Sequence, residues 1–174
     1  YAEIDESMQT SVKGVYAIGD ITGKLALAHV ASAQALAAVD AILGRTVKKL
    51  RYHNLPRCTY TTPEVSSVGL TEAQAKEKGY SVKTGMFPIA ANGKALAYGE
   101  TAGFVKFVTD EQYGEILGVH MVGPHVTEMV HAAAAYIDLE VTAHDAARIV
   151  HAHPTVAEAM MEAAHAAVGH AIHI

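Results

Sequence analysis

Apolar and polar positions divide the chain into two segments with different orders of elements. Residues 14–20 form a short apolar run that predicts a strand, and the alanine-rich residues 26–43 predict a helix that ends at Gly44. This strand-helix pair is half of an α/β unit. It has no second strand of its own, so its open edge must be covered by other chain or by another molecule.

A change of composition follows. Between residues 47 and 56, lysine, arginine, asparagine and proline replace the alanine pattern, which predicts a linker. We place the domain boundary here, with residues 1–48 on one side and residues 49–174 on the other.

Beyond the linker, strands come before helices. Apolar runs predict strands at residues 58–61, 65–69, 80–87, 104–108 and 116–122, of which the last two form a hairpin. Helices are predicted from residue 71 to 79 and at residues 127–139, 142–150 and 155–168. This order predicts an α+β fold in which helices pack on an antiparallel sheet.

Two local signals refine this picture. Thr71 and Gln74 have the spacing of a capping box at a helix start, and Asn92-Gly93 predicts a turn within a loop over residues 88–99.

Few charges interrupt residues 129–137 and 156–168, which are rich in alanine, methionine and valine. These helices are therefore either buried within the domain or in contact with a partner subunit, and a twofold homodimer is the commonest such arrangement.

Charge and composition narrow the function classes. The 174 residues carry a net charge of -5 without a basic patch, which argues against a nucleic-acid partner. No apolar stretch approaches the ~20 residues of a membrane span, and the first residues do not resemble a signal peptide. We therefore expect a cytoplasmic protein that binds neither nucleic acid nor membrane.

The cysteine and histidine residues do not have the spacing of a metal site. Cys58 is the single cysteine, which excludes an intrachain disulfide and a thiolate cluster. Among the eleven histidines, His165, His170 and His173 cluster in sequence, but their spacing does not stack all three on one helical face. We predict no metal site.

The stretch from His151 to Glu158 carries the candidate chemistry. A carboxylate held against the far ring nitrogen of a histidine fixes its tautomer and raises its basicity, which makes His153 a candidate general base. Thr155 and Glu158 also have the spacing of a capping box, directly after Pro154, and the pattern alone favours capping.

Five motifs, taken in their order and spacing, extend over the whole chain. They are residues 10–20, Ala-Leu-Ala-His at 26–29, Tyr-Thr-Thr-Pro-Glu at 60–64, Ala-Asn-Gly-Lys-Ala at 91–95 and His-Ala-His-Pro-Thr at 151–155. Together they resemble the C-terminal part of dihydrolipoamide dehydrogenases, a family of flavoprotein disulfide oxidoreductases. The resemblance implies that residues 1–48 are a remnant of an FAD-binding domain and that residues 49–174 are the dimerisation domain.

The resemblance also implies roles near the flavin. Asp20 would hydrogen-bond the ribityl chain of FAD, and the backbone amides of Ala26, Leu27, Ala28 and His29 would lie near the pyrimidine end of the flavin. Without the resemblance, Asp20 and its neighbours would indicate only a turn and a cap.

For the base, the resemblance implies that His153, paired with Glu158, takes a proton from a thiol of dihydrolipoamide. The resulting thiolate would attack a disulfide of the enzyme, and electrons would pass to the flavin site of the partner subunit in a homodimer. His151 is the rival base, but only His153 occupies the family's position before proline, so His151 is given a supporting role.

Three parts of the family's catalytic apparatus do not occur in these residues: the glycine-rich FAD loop, the paired redox cysteines and the NAD-binding domain. Cys58 alone cannot cycle between dithiol and disulfide. We therefore expect the chain by itself to bind no cofactor and to be inactive. The parent enzyme would use FAD and NAD and would meet the lipoyl domains of a 2-oxoacid dehydrogenase complex.

Three alternatives fit less well. One is a catalytically inert homodimerising or scaffold module, natural or engineered. The other two alternatives are related reductase families. Glutathione reductases usually carry a second glutamate where this chain has Ala159, and mercuric reductases lack the base histidine and end in paired cysteines, which these residues do not contain.

Overall fold

The computed structural model describes residues 1–173, which fall into two compact units, Tyr1–Tyr52 and the chain from His53 onward. The first unit contains a 3-10 turn at Gly19–Thr22 and one helix, α1, at Ala28–Ile42. The predicted helix is therefore confirmed, and Gly44 follows its end with a left-handed φ of 67°.

The predicted strand at residues 14–20 is wrong. Tyr16 pairs with Gln9 in an isolated bridge, and the rest of the segment is irregular up to the 3-10 turn. Gly14 and Gly19 adopt φ values of 81° and 76°, which lie in the left-handed region and break an extended run at both ends.

The second unit is built on a five-stranded antiparallel sheet. Its strands are β1 (Arg57–Thr59), β2 (Glu64–Gly69), β3 (Val82–Pro88), β4 (Phe104–Asp110) and β5 (Ile116–Gly123), in the spatial order β1-β2-β5-β4-β3. The hairpin of β4 and β5 lies at the centre of the order, with a register shift between Val108 and Thr109.

Five short or medium helices complete this unit. They are α2 (Glu72–Glu77), α3 (Gly93–Tyr98), α4 (Val126–Asp138), α5 (Ala143–Arg148) and α6 (Glu158–Val168). Helix α4 packs on β2 and β5, α6 packs on β3 and β4, and α5 packs on α6. The predicted α+β fold, an antiparallel sheet packed with helices, is confirmed.

The main core lies between the sheet and these three helices. Alternate strand residues such as Val105, Phe107 and Val119 are fully buried there, facing alanine and methionine side chains of α4 and α6. Helical residues at the predicted apolar positions are therefore largely core residues of their own domain.

The structure confirms one capping signal and corrects one turn. At α2 the Thr71 side chain accepts from the Gln74 N–H while Gln74 bonds the Thr71 N–H, which is a complete capping box. The predicted loop around Asn92 is instead the start of α3, because the Asn92 side-chain oxygen accepts from the Ala95 N–H at 2.9 Å.

Helix α6 approaches β3 very closely. A Cβ placed on Gly85 of β3 would overlap the Ala163 carbonyl oxygen and the Ala167 backbone nitrogen. Only a residue without a side chain lets the helix lie at this distance, so Gly85 fixes the position of α6 on the sheet.

Near α2, one carboxylate binds two lysines. Glu72 accepts from Lys106 of β4 and from Lys76 of its own helix, each at 2.7 Å. The hydrogen bond from Lys106, then that from Lys76, and the two positive charges lower the pKa of Glu72 to about 2.

Within residues 1–173, no helix is both long enough and apolar enough to cross a bilayer.

Replacing Gly85 with alanine should destabilise the fold by about 3 kcal/mol, because overpacking against backbone atoms cannot be relieved by a rotamer change. Urea denaturation measures the loss. Gly93→Ala is the matched control, because nothing lies within 4 Å of a Cβ there, and it should leave stability unchanged or raised by about 0.5 kcal/mol. Equal effects of the two substitutions would contradict the close contact of α6 with β3.

The Glu72 ion pairs should give a pH-dependent contribution to stability. Because the pKa is lowered on folding, the contribution is complete above the ordinary value of 4.5 and is lost as the pH falls toward 2. The stability difference between the native chain and Glu72→Gln, from urea denaturation, should shrink over this window, and Lys106→Met should weaken the same dependence. A difference that is equal at both ends of the window would contradict the assignment.

Candidate active site

The loop between α5 and α6 carries His153. It is held by Thr155, whose hydroxyl donates to the Ala152 carbonyl at 2.7 Å and whose N–H donates to the Glu158 carboxylate at 2.9 Å. The peptide bond between His153 and Pro154 is cis. The loop is thus fastened to the first residue of α6 by its own backbone.

His153 and Glu158 form a hydrogen-bonded pair. The Nδ1 atom of His153 lies 3.0 and 3.2 Å from the two carboxylate oxygens of Glu158. An ionised carboxylate can only accept, so Nδ1 donates, and in the neutral ring Nε2 keeps a lone pair. The His153 side chain is 77% exposed while that of Glu158 is 20% exposed, so the proton-accepting nitrogen belongs to an accessible ring with a partly covered partner.

The capping interpretation of Thr155 and Glu158 is half realised. Glu158 reaches back to the Thr155 N–H, as the acid of a capping box does, but the Thr155 hydroxyl bonds Ala152 rather than the helix. Glu158 therefore both orders the helix start and binds the imidazole, and the two interpretations are not exclusive.

Several effects act on the Glu158 carboxyl group. Partial burial raises its pKa, but the hydrogen bonds from the Thr155 N–H and the His153 ring, with the charges of His153 and His151 when protonated, outweigh burial and leave the pKa below its ordinary value. The carboxylate form is thus favoured at neutral pH, which is the form that orients an imidazole.

His151 is placed differently. Its Nδ1 lies 2.8 Å from the carbonyl oxygen of Ile149, a backbone group. A neutral carbonyl orients the ring without the charge that a carboxylate supplies. His151 and His153 therefore differ in their hydrogen-bond partners, a carbonyl for the first and a carboxylate for the second.

Sequence reasoning did not assign a role to Asn92. This residue is 4% exposed; its side chain caps α3 through one atom and donates to the Thr155 carbonyl at 3.1 Å through the other. Asn92 thereby ties α3 to the loop of His153. The sequence signal was present in the motif at residues 91–95, but it was interpreted as a turn.

A second imidazole-carboxylate pair, also missed, lines the same cleft. Glu162, one helical turn after Glu158, is 3% exposed and lies 2.6 Å from the Nδ1 of His173. The two pairs and the start of α3 surround a cleft of about 150 Å³. The i, i+4 spacing of the glutamates was the available signal, whereas the eleven-residue separation of Glu162 and His173 is not a pattern that periodicity detects.

Across the part of the chain that the structure describes, no group of three or more histidine, cysteine, aspartate or glutamate side chains is arranged to hold a metal ion. Each carboxylate of the cleft is instead matched with a ring nitrogen.

The residues predicted to lie near a flavin belong to the first unit. Asp20 is exposed within the 3-10 turn, and residues 26–29 run into the start of α1, whose N-cap residue, Leu27, makes no side-chain capping bond. The turn is held by Gln34, a fully buried residue of α1 that accepts from the Gly19 N–H at 2.6 Å and donates to the Tyr52 hydroxyl at 3.0 Å. Sequence reasoning did not identify Gln34.

Comparison with known families agrees with this architecture. A family model described as the dimerisation domain of pyridine nucleotide-disulphide oxidoreductases matches residues 55–164, which is more than half of the chain. A model described as pyridine nucleotide-disulphide oxidoreductase matches residues 1–35.

Curated relatives are named dihydrolipoyl dehydrogenase. The chain is 49% identical to the Bacillus subtilis protein over 170 residues and 47% identical to the Mycobacterium leprae protein over 171 residues, and each match covers 98% of the chain. The chain spans 36% and 37% of the lengths of these relatives. The resemblance drawn from the motifs is thus confirmed.

Solved structures show the same fold. LpdA from Mycobacterium tuberculosis superposes with a TM-score of 0.88 at 29% identity, covering 94% of the chain and 36% of that protein. RclA, an HOCl-induced flavoprotein disulfide reductase from Escherichia coli, superposes with a TM-score of 0.84 at 24% identity, over 93% of the chain and 38% of that protein. On this evidence the chain belongs to the pyridine nucleotide-disulphide oxidoreductase family, whose dimerisation domain it carries.

Proposed function

We propose that the chain is the C-terminal part of a flavoprotein that oxidises dihydrolipoamide with NAD as acceptor, and that His153 is its base. One observation carries the proposal: the ring of His153 is bonded through Nδ1 to Glu158 and its side chain is 77% exposed, in a chain whose curated relatives are named dihydrolipoyl dehydrogenase. A base held in one tautomer near neutral pH suits removal of a thiol proton.

In the proposed step, a thiol of dihydrolipoamide loses its proton to Nε2 of His153. The thiolate attacks one sulfur of a disulfide in the complete protein, so a substrate-enzyme S–S bond forms and the other enzyme sulfur leaves as a thiolate. Glu158 stabilises the imidazolium that results. Cys58 takes no part in this step. Burial is the largest of the effects on its thiol and raises the thiol pKa, and a single sulfur cannot form an intrachain disulfide.

Asp20 and the start of α1 fit an FAD site. Asp20 presents an exposed carboxylate, an acceptor for ribityl hydroxyls, and the start of α1 carries the positive end of the helix dipole. We propose that Asp20 and the backbone of Ala26, Leu27, Ala28 and His29 contribute to holding FAD, which supplies a two-electron acceptor when bound. Gln34 keeps the turn of Asp20 in place.

We propose that residues 1–48 are the end of the FAD-binding domain and residues 49–174 the dimerisation domain of a homodimer. The two matched family models support this division. Two strongly exposed apolar residues, Leu139 after α4 and Val150 after α5, are candidates for burial in the dimer, at 75% and 93% exposure.

The proposed substrate also points to a partner complex. Dihydrolipoamide is carried on lipoyl domains, so we propose a 2-oxoacid dehydrogenase complex as the partner. A cytoplasmic location accords with a chain of one cysteine, a composition suited to a reducing compartment.

A second candidate function is an inert homodimerising module. The observation that favours it is that His153 and Glu158 lie within residues 55–164, which match a family model described as a dimerisation domain. The two functions differ in whether His153 affects turnover.

Loss of His153 should remove most activity. Joining this chain to the upstream part of the Bacillus subtilis relative supplies the remaining domains for a turnover assay with dihydrolipoamide and NAD. We expect His153→Ala to lower kcat about 10²- to 10⁴-fold, the usual contribution of a general base, and Glu158→Gln to lower it less.

His151→Ala is the control for this assay, because His151 bonds a carbonyl rather than a carboxylate, and it should keep kcat within about threefold of the parent value. Near-normal turnover with His153→Ala would refute the assignment of the base and favour the inert module.

The 174-residue chain should itself be a colourless dimer. Analytical ultracentrifugation should give twice the 18.4 kDa mass of one chain, without flavin absorbance. Val150→Asp should weaken association, because a charge would enter the proposed contact, whereas Tyr113→Ser, at another exposed apolar position in the β4-β5 turn, should not.

A strictly monomeric native chain would contradict the proposed homodimer. A yellow, FAD-loaded chain would instead overturn the expectation that residues 1–48 are too little of the FAD domain to retain the cofactor.

A further inference from the structure

We propose that Glu162 and His173 form a second proton-accepting pair, which serves the second thiol of a substrate that carries two thiols. The inference rests on the proposed function, because it needs dihydrolipoamide as the substrate. It adds a residue pair to the site that neither the motifs nor the comparisons assign.

The two pairs are built in the same way. His153 presents Nδ1 to Glu158 at 3.0 Å, and His173 presents Nδ1 to Glu162 at 2.6 Å. In each pair the carboxylate accepts, so the neutral ring keeps the lone pair of Nε2 for a proton. The feature that makes His153 a base is therefore present in His173 as well.

The two pairs also share one cleft. Glu158 and Glu162 lie four residues apart on one face of α6, a rise of about 6 Å, and both rings line the same cleft. The rings are 77% and 66% exposed, whereas Glu162 is almost fully covered. The cleft thus has two accessible imidazoles, backed by carboxylates spaced by one helical turn.

Stability alone does not explain the second pair. Burying a carboxylate is unfavourable unless it is paired, and an apolar side chain of similar size at this position would avoid that penalty. Glu162 is paired by the His173 ring and, at 3.4 Å, by the His173 N–H. A buried carboxylate that costs desolvation and holds an exposed imidazole at the lining of a cleft points to a chemical use.

Oxidation of a dithiol releases two protons, which gives two bases a task. The first thiol passes its proton to His153, and its sulfur displaces one enzyme sulfur to form a mixed disulfide. The second thiol passes its proton to His173, and its sulfur attacks the first substrate sulfur, which closes the substrate disulfide and releases the second enzyme thiolate. The substrate loses two electrons and two protons; the enzyme disulfide gains the electrons, and each imidazole holds one proton.

The test uses the complete flavoprotein described above, with His173→Asn. The asparagine amide can still donate to Glu162 but cannot accept a proton at the position of Nε2. We expect kcat for dihydrolipoamide to fall about 100-fold with thermal stability unchanged. Formation of a mixed disulfide with a monothiol, which needs one base, should keep its rate in rapid-quench mass spectrometry.

Retention of dithiol turnover by His173→Asn would overturn the proposal, and loss of turnover in His173→Ala beside it would show that the pair only holds the structure. Equal slowing of the monothiol step would overturn it too. His153→Asn separates this failure from failure of the proposed function: it should slow both substrates, and if it slows neither, the base assignment itself is wrong.

A measurement on the 174-residue chain keeps the proposal testable without turnover. Diethyl pyrocarbonate acylates neutral imidazoles, and peptide mass spectrometry resolves the rate at each histidine. At a pH high enough for both rings to be fully neutral, only the nucleophilicity of Nε2 sets the rate, so Glu162→Gln should slow acylation of His173 and leave His153 unchanged, and Glu158→Gln should do the reverse. A His173 rate that is insensitive to Glu162→Gln would overturn the proposal.

Discussion

The hydrogen-bonded carboxylate of Glu158 is the constraint on which the rest of the site depends. It binds the imidazole of His153 on one side and the backbone N–H of Thr155 on the other, so one group fixes both the ring and the loop that carries it. Because Glu158 is the first residue of α6, the position of the base is set by where that helix begins and how it packs.

The packing of α6 in turn depends on small residues. Ala159, Ala163 and Ala167 are buried along one side of the helix, and Gly85 of β3 lets the helix backbone come almost into contact with the strand. Larger residues at these positions would lift α6 from the sheet and move the carboxylates of both pairs together. The alanine-rich composition of the last helix is therefore a geometric requirement of the site as well as a source of core.

The sequence predicted those features that local chemistry determines. The β4-β5 hairpin, the capping box of Thr71 and the pairing of His153 with Glu158 follow from alternation or from short spacings, and the structure contains all three. The strand expected at residues 14–20 is not formed because left-handed glycines interrupt an apolar run, and periodicity alone does not report φ. Asn92 was misassigned because the same residue type favours turns and helix caps, and only the Ala95 amide that it binds distinguishes them.

Contacts between distant positions were beyond such reasoning. The bond between Glu162 and His173 and the bond between Asn92 and the Thr155 carbonyl join residues that share no periodic pattern. Both converge on the loop or the cleft of His153, so the part of the site that tertiary structure supplies is the set of groups around the base rather than the base itself.

If Glu158 orients the base, His153 is held as the Nδ1–H tautomer, and its Nε2 keeps the lone pair that accepts a proton. Two-dimensional 15N-1H NMR of the imidazole ring, recorded above the pH at which the ring is protonated, reports the tautomer directly. We expect a protonated Nδ1 and an unprotonated Nε2 for His153, with this preference lost in Glu158→Gln. A ring that carries its proton on Nε2, or that has the same tautomer mixture in both proteins, would contradict the role of Glu158.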